Sequence, residues 1–208
     1  MRFPALLATT LALLISDPLS AANFHYNNVE VAQVKTDTDA GDESEQIIIA
    51  GSWTLGPSAF IAAQFGVGEM LEIGGVDVDM FDIEVDQQEL SGAFGLRDEV
   101  APNTDVYYGL RLGLGKFDTN ISQEDERYEF VGFFTGVRQW LVRGYLELEA
   151  RFTHTEGKLE SERFDSNDVQ VGLMGYPTPN LGVSLMIGQT FGADDNRDAI
   201  GVSFRYDY

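Results

Sequence analysis

The chain has 208 residues, no cysteine and a formal net charge of -21, with 44% hydrophobic and 12% aromatic residues. Without thiols there is no disulfide framework, thiolate metal site or cysteine nucleophile. The acidity excludes binding to phosphate backbones and adhesion to an anionic lipid surface through a basic patch.

Residues 1–22 read as a secretory signal. Arg2 supplies the positive start, Ala5 to Ile15 an apolar core, and Ser20-Ala21-Ala22 the small residues around a cut. That core is too short to span a bilayer as a helix, and no later run approaches the roughly 20 apolar residues a spanning helix needs. Residues 23–208 are then one exported domain.

Alternation and turn signals give ten strand candidates: 24–35, 46–55, 59–69, 87–97, 105–117, 128–138, 145–155, 168–176, 181–190 and 199–208. Their lengths are close to the roughly 9–11 residues that carry a tilted strand across hydrocarbon. In 46–55, Ile47, Ile49, Trp53 and Leu55 oppose Gln46, Ser52 and Thr54. In 105–117, Val106, Tyr108, Leu110, Leu112 and Leu114 oppose Tyr107, Gly109, Arg111, Gly113 and Gly115. In 145–155, Leu146, Leu148, Ala150 and Phe152 oppose Tyr145, Glu147, Glu149 and Arg151. The last strand sets Ile200, Val202, Phe204, Tyr206 and Tyr208 against Gly201, Ser203, Arg205 and Asp207, and an unpaired strand of that kind is an aggregation hazard unless a closed barrel covers it.

The connections alternate in character. Gly56 to Ser58, Asp98 to Thr104, Gln139 to Gly144 and Pro177 to Asn180 are short or turn-rich. The connections 36–45, 70–86, 118–127, 156–167 and 191–198 are mostly longer and hold nearly all of the net negative charge. Short periplasmic turns and longer outer loops are the asymmetry of an outer-membrane barrel, and an even strand number returns both termini to one side. Trp53, Trp140, Tyr107, Tyr108, Tyr145, Tyr176, Tyr206 and Tyr208 fall toward the short-turn end, and Phe65, Phe117, Tyr128, Phe130, Phe152 and Phe191 toward the acidic end. Two aromatic belts around an aliphatic band are interfacial girdles, and Trp53, Tyr108, Trp140 and Tyr176 are assigned to the girdle here.

This arrangement resembles the small outer-membrane β-barrel superfamily around OmpA and OmpX, and more closely the short Gram-negative barrels that open with a strand such as Tyr26-Asn27-Asn28-Val29-Glu30. The resemblance implies an all-β, up-and-down antiparallel transmembrane barrel, here with ten strands and with eight as the alternative. The departures are the strand number and the lack of an appended peptidoglycan-binding domain. It also implies contact with outer-membrane lipid and lipopolysaccharide, and recognition of Phe204, Tyr206 and Tyr208 by the barrel-assembly machinery.

The polar parity sends Glu30, Glu89, Arg97, Arg111, Glu147, Glu149, Arg151, Arg205 and Asp207 into the lumen, where enclosed charges must pair. Strand order suggests Arg111 with Glu147 or Glu149, and Arg205 with Glu30. The expected role is structural or surface-interacting, without enzymatic activity or cofactor, in a monomer. A narrow pore for small solutes or cations is the alternative. Weaker readings are a soluble barrel around an apolar ligand, and a lipid hydrolase built on His154 with Ser161 or Ser166. Asp37, Asp39 and Asp42 form a carboxylate group that lacks EF-hand spacing, so no metal site is assigned to them.

Overall fold

The computed structural model describes residues 24–73, 75–77, 85–120, 126–159, 162–192 and 196–208; the signal segment and Ser161 lie outside these. The described residues form eleven strands and no helix: β1 (Asn28–Thr38), β2 (Glu43–Thr54), β3 (Ala59–Ile73), β4 (Val76–Asp77), β5 (Val85–Ala101), β6 (Thr104–Thr119), β7 (Glu126–Val142), β8 (Leu146–Leu159), β9 (Glu162–Thr178), β10 (Leu181–Phe191) and β11 (Arg197–Asp207). β4 is a two-residue ladder on the end of β3. The other ten pair antiparallel with their neighbours, and β1 meets both β2 and β11 while β2 meets β3, so the sheet closes. Closure pairs each of those ten strands on both sides, the solution expected for the apolar terminal strand. Ten strands, not eight, make the barrel.

Alternation decides which face looks out. Leu112 is 68% exposed and Leu185 55%, and Ile49, Phe65, Leu90, Leu110, Val131, Leu173, Val202 and Phe204 share that outer surface. In water each such side chain would forgo about 1.5–3 kcal/mol of burial, so the wall is built for hydrocarbon. The interior carries the charges that are out of solvent, Asp105, Arg138, Glu147 and Asp207, and most of the buried rings. A soluble barrel holding an apolar ligand needs the reverse, and that reading is removed.

Tight turns close the short end. Asn103, at φ 69°, turns β5 into β6 in the left-handed region that asparagine tolerates. Glycines on the inner face serve a different need. A methyl on Gly95 would overlap the Phe60 ring, and one on Gly136 the Tyr107 ring, so these rings lie flat on bare backbone.

The strand bounds differ from the sequence expectation at both ends. β1 starts at Asn28, because Phe24 to Tyr26 turn into the barrel mouth instead of pairing as strand. At the acidic end, Glu156 to Leu159 and Glu162 to Asn167 are paired strand where a connection was expected. Strand pairing persists above the bilayer because it satisfies the backbone in water too, whereas the apolar alternation that marks a strand in sequence stops at the lipid.

Candidate functional site

The lumen is the site, and its two halves are built differently. At the short-turn end Phe24, Tyr26, Phe60, Tyr107, Phe134, Trp140, Met174 and Tyr176 form one buried cluster across the barrel. Phe24 stacks on Trp140 with ring centres 5.4 Å apart, and Trp140 meets Tyr176 at 5.2 Å. The segment ahead of β1 is tied down along its length. Arg97 Nη1 donates to the Phe24 carbonyl at 3.2 Å, Arg138 Nη1 to the His25 carbonyl at 3.0 Å, and Ser52 Oγ to the Tyr26 carbonyl at 2.6 Å. Thr54 donates its amide to Asn27 Oδ1 at 2.7 Å.

An ion-pair network sits on these rings. Arg138 grips Glu147 with both arms of its fork, Nε to Oε1 at 2.6 Å and Nη2 to Oε2 at 2.9 Å, and Tyr176 adds its hydroxyl to Oε2 at 3.2 Å. The guanidinium also lies over the Tyr26 ring at 5.0 Å and the Phe24 ring at 5.1 Å. This pairing of a planar donor fork with carboxylate and aromatic faces is what arginine offers and lysine does not. Arg205 donates Nε to Glu30 Oε2 at 2.8 Å and approaches Glu147 and Glu149 at 3.8 Å. Tyr107 donates to Glu149. Asp207 is buried beside this group, and its Oδ1 makes no hydrogen bond among the described residues.

Toward the acidic end the lumen opens into a cavity of about 400 Å³, lined by Thr36, Gln46, Gln64, Arg111, Arg151 and Gln170 among others. Arg111 donates to Glu89 at 3.1 Å, not to Glu147 or Glu149 as expected from strand order, because β6 lies beside β5 and the register brings Glu89 opposite Gly115. Arg151 donates to Gln170 on the neighbouring strand. Arg97 lies at the opposite end of the lumen, 3.7 Å from Asp105.

Two girdle assignments are corrected. Trp53 and Tyr108 face out and are exposed, but Trp140 and Tyr176 point inward and are buried. Both continue an inward parity, Trp140 that of Phe134 and Arg138, Tyr176 that of Gly172 and Met174. Counting along the strand finds them, whereas position at a strand end does not. Arg138 was missed for a related reason: it stands at the last residue of a candidate strand, yet β7 runs on to Val142. Phe204 on β11 and Tyr208 just after it are exposed, and Tyr206 is partly so.

The remaining candidates separate. His154 faces outward, its Nδ1 2.9 Å from Asn167 Oδ1 and its ring against Phe133. Ser166 has the inward parity of β9, so the barrel wall stands between the two and no Ser–His pair forms. Asp39 accepts a hydrogen bond from Asn196 at 3.2 Å, and Thr38 Oγ1 accepts one from the Asp42 amide at 2.9 Å. Asp37 stands in the β1 ladder opposite Asp198 and Glu43, and among the described residues no three acidic or imidazole groups converge as metal ligands.

A closed antiparallel barrel with an apolar outside and a charged inside has one solvent that suits it. This is a small outer-membrane β-barrel. No protein-family profile and no curated protein sequence matches the chain. In structure it is similar to the β domain of the Bordetella autotransporter BrkA, at 10% identity and a TM-score of 0.55 over 89% of this chain and 100% of that one. It is similarly related to an outer membrane channel of Pseudomonas putida F1, at 8% identity and a TM-score of 0.54 over 93% of this chain and 100% of that one. Neisserial surface protein A also matches, with 9% identity and a TM-score of 0.46 over 87% of this barrel and 95% of that chain. Identities this low speak for the fold alone.

Proposed function

We propose that the barrel is a non-conducting structural or surface-interaction protein, its outer end presenting acidic residues above the membrane. The observation that carries this reading is the plug. Rings from the segment ahead of β1 and from β3, β6, β7 and β9 pack across the lumen and are locked by Arg138 and Glu147. A solute entering the outer cavity meets this layer before it reaches the short-turn end. No catalytic step is assigned, since His154 is engaged by Asn167 and lies across the wall from Ser166. On the same reading β11, with Phe204 on its outer face and Tyr208 exposed just after it, is the strand offered to the barrel-assembly machinery.

Planar-bilayer conductance tests the reading. The wild-type protein is expected to stay silent, while Phe24→Ala combined with Trp140→Ala produces steps. Steady cation-selective steps from the wild type would establish the alternative, a narrow pore, which the charged outer cavity favours.

A further inference from the structure

The outer lumen cavity has two unlike walls. On one side β5, β6, β8 and β9 present Glu89, Arg111, Glu149, Arg151, Asp168 and Gln170. On the other, β10, β11, β1 and β2 turn Met186, Ala199, Val34 and Ile48 inward. These last four strands are consecutive around the barrel. Their ionised residues in the cavity are Glu30 and Arg205, which pair with each other, and Arg197, exposed at the outer ends of β10 and β11. Ile48 and Met186 are half-buried, and Met186 lies across the bare backbone of Gly201, its Cε 2.6 Å from where a methyl would stand. A lumen that holds only water gains nothing from apolar side chains, and the inside of a membrane barrel is ordinarily polar.

The charges of the opposite wall do not all cancel in place. Glu89 takes Arg111, Glu147 takes Arg138, and Glu149 takes the Tyr107 hydroxyl with Arg205 at 3.8 Å. Two groups on this wall are left without an opposite charge within 4 Å among the described residues. Arg151 donates only to the neutral amide of Gln170, and Asp168 accepts only the Thr190 hydroxyl, at 2.5 Å. The register sets Arg151 opposite Gln170 and Thr153 opposite Asp168. The two therefore stand diagonally on the inner face, roughly 7–8 Å apart at the backbone. Gln64, on β3, adds a carboxamide that makes no side-chain hydrogen bond among the described residues.

This balance selects the ligand. A lone anion would meet Glu89, Glu149 and Asp168 as well as Arg151, and a lone cation would meet Arg111 and Arg151 as well as Asp168. A molecule with one charge of each sign answers both free groups, and apolar side chains on it cover the other wall. The volume of about 400 Å³ falls within the roughly 300–1,000 Å³ of small-molecule sites. The free amide of Gln64 favours a ligand with a peptide group over a single amino acid.

We propose that the outer cavity binds a short zwitterionic peptide with apolar side chains. Its carboxylate lies on the Arg151 guanidinium, its ammonium on Asp168, and its side chains against Ile48 and Met186. The site needs the outer cavity and not the plug beneath it, so conductance by the wild type would leave it standing.

Isothermal titration calorimetry of the purified barrel in detergent, with empty micelles as the blank, tests this using leucyl-leucine. Saturable binding to the wild type is expected. N-acetyl-leucyl-leucine lacks the ammonium, leucyl-leucine amide lacks the carboxylate, and glycyl-glycine lacks the apolar side chains. Each should bind at least about tenfold more weakly, as the loss of a charged hydrogen bond or a buried side chain implies. Arg151→Gln should abolish the preference for leucyl-leucine over its amide, and Asp168→Asn the preference over the N-acetyl form. Far-ultraviolet circular dichroism checks that both variants are folded, and the comparison of analogues on the wild type needs no variant. Absence of saturable leucyl-leucine binding overturns the proposal, as does any of the three analogues binding equally well. So do folded variants that keep both preferences.

Discussion

The two halves of the lumen use the same residue types for different ends. Near the short turns, Arg138 and Glu147 have side chains 4% and 1% exposed, roofed by rings, and each finds several partners. In the outer half, Arg111 and Glu89 make a comparable contact at 25% and 23% exposure beside an open cavity. The attraction between opposite charges is far weaker where water reaches them, and so is the penalty for leaving one alone. What separates the halves is therefore the aromatic layer. By excluding water it turns an ion pair into a structural bolt, and where it stops the same chemistry becomes a wet, adjustable surface.

The sharpest way to break that contrast is at the bolt. Glu147→Ala leaves the Arg138 guanidinium buried without its carboxylate, and should cost about 3–5 kcal/mol. Urea unfolding in lipid vesicles, followed by tryptophan fluorescence, reads the loss, and Trp140 reports from beside the site. Leu112→Arg, which puts a charge in the outer apolar band halfway along β6, should cost about 2–4 kcal/mol if that face meets the middle of the bilayer. A negligible cost would put Leu112 in water and the membrane reading would fall. Ser203 is fully buried and shares a 2.7 Å hydroxyl pair with Ser184. Ser203→Ala strands that partner, for about 1–3 kcal/mol. Its loss should exceed that of Thr36→Val, which removes a hydroxyl from the wall of the outer cavity.

Much of this was readable beforehand, and the exceptions share a cause. Alternation in β6 and β10 separates Leu110 and Leu185 from Arg111 and Ser184 with no tertiary knowledge, because lipid and lumen impose opposite demands on neighbouring residues. The partner of Arg111 was not readable, since it depends on register, and a shift of two residues keeps every side chain on its proper face. Nor was the plug. Phe24 and Tyr26 continue the parity of Glu30, which does mark them as inward, but the same pattern reads as more strand. Only the carbonyl contacts from Arg97, Arg138 and Ser52 show that the chain there has left the sheet. Trp140 was misplaced because an aromatic at a strand end serves a girdle and a plug equally well, and parity alone distinguishes them.

The smallest expected effect sharpens the comparison most, because it tests the wet half directly. Glu89 receives Arg111 at 3.1 Å and the Tyr128 hydroxyl at 3.2 Å. Glu89→Gln keeps an oxygen for the hydroxyl and removes the charge. If water fills the outer cavity, Arg111 is resolvated and retains its contact over the Phe130 ring at 4.7 Å, so the cost should stay within about 1 kcal/mol. Added salt should shrink it further, since screening acts on charges that solvent can reach. The same substitution at Glu147 should cost more and respond little to salt. Equal losses at the two positions, both insensitive to salt, would mean that the outer half is as dry as the inner one, and that the aromatic layer is not what divides the barrel.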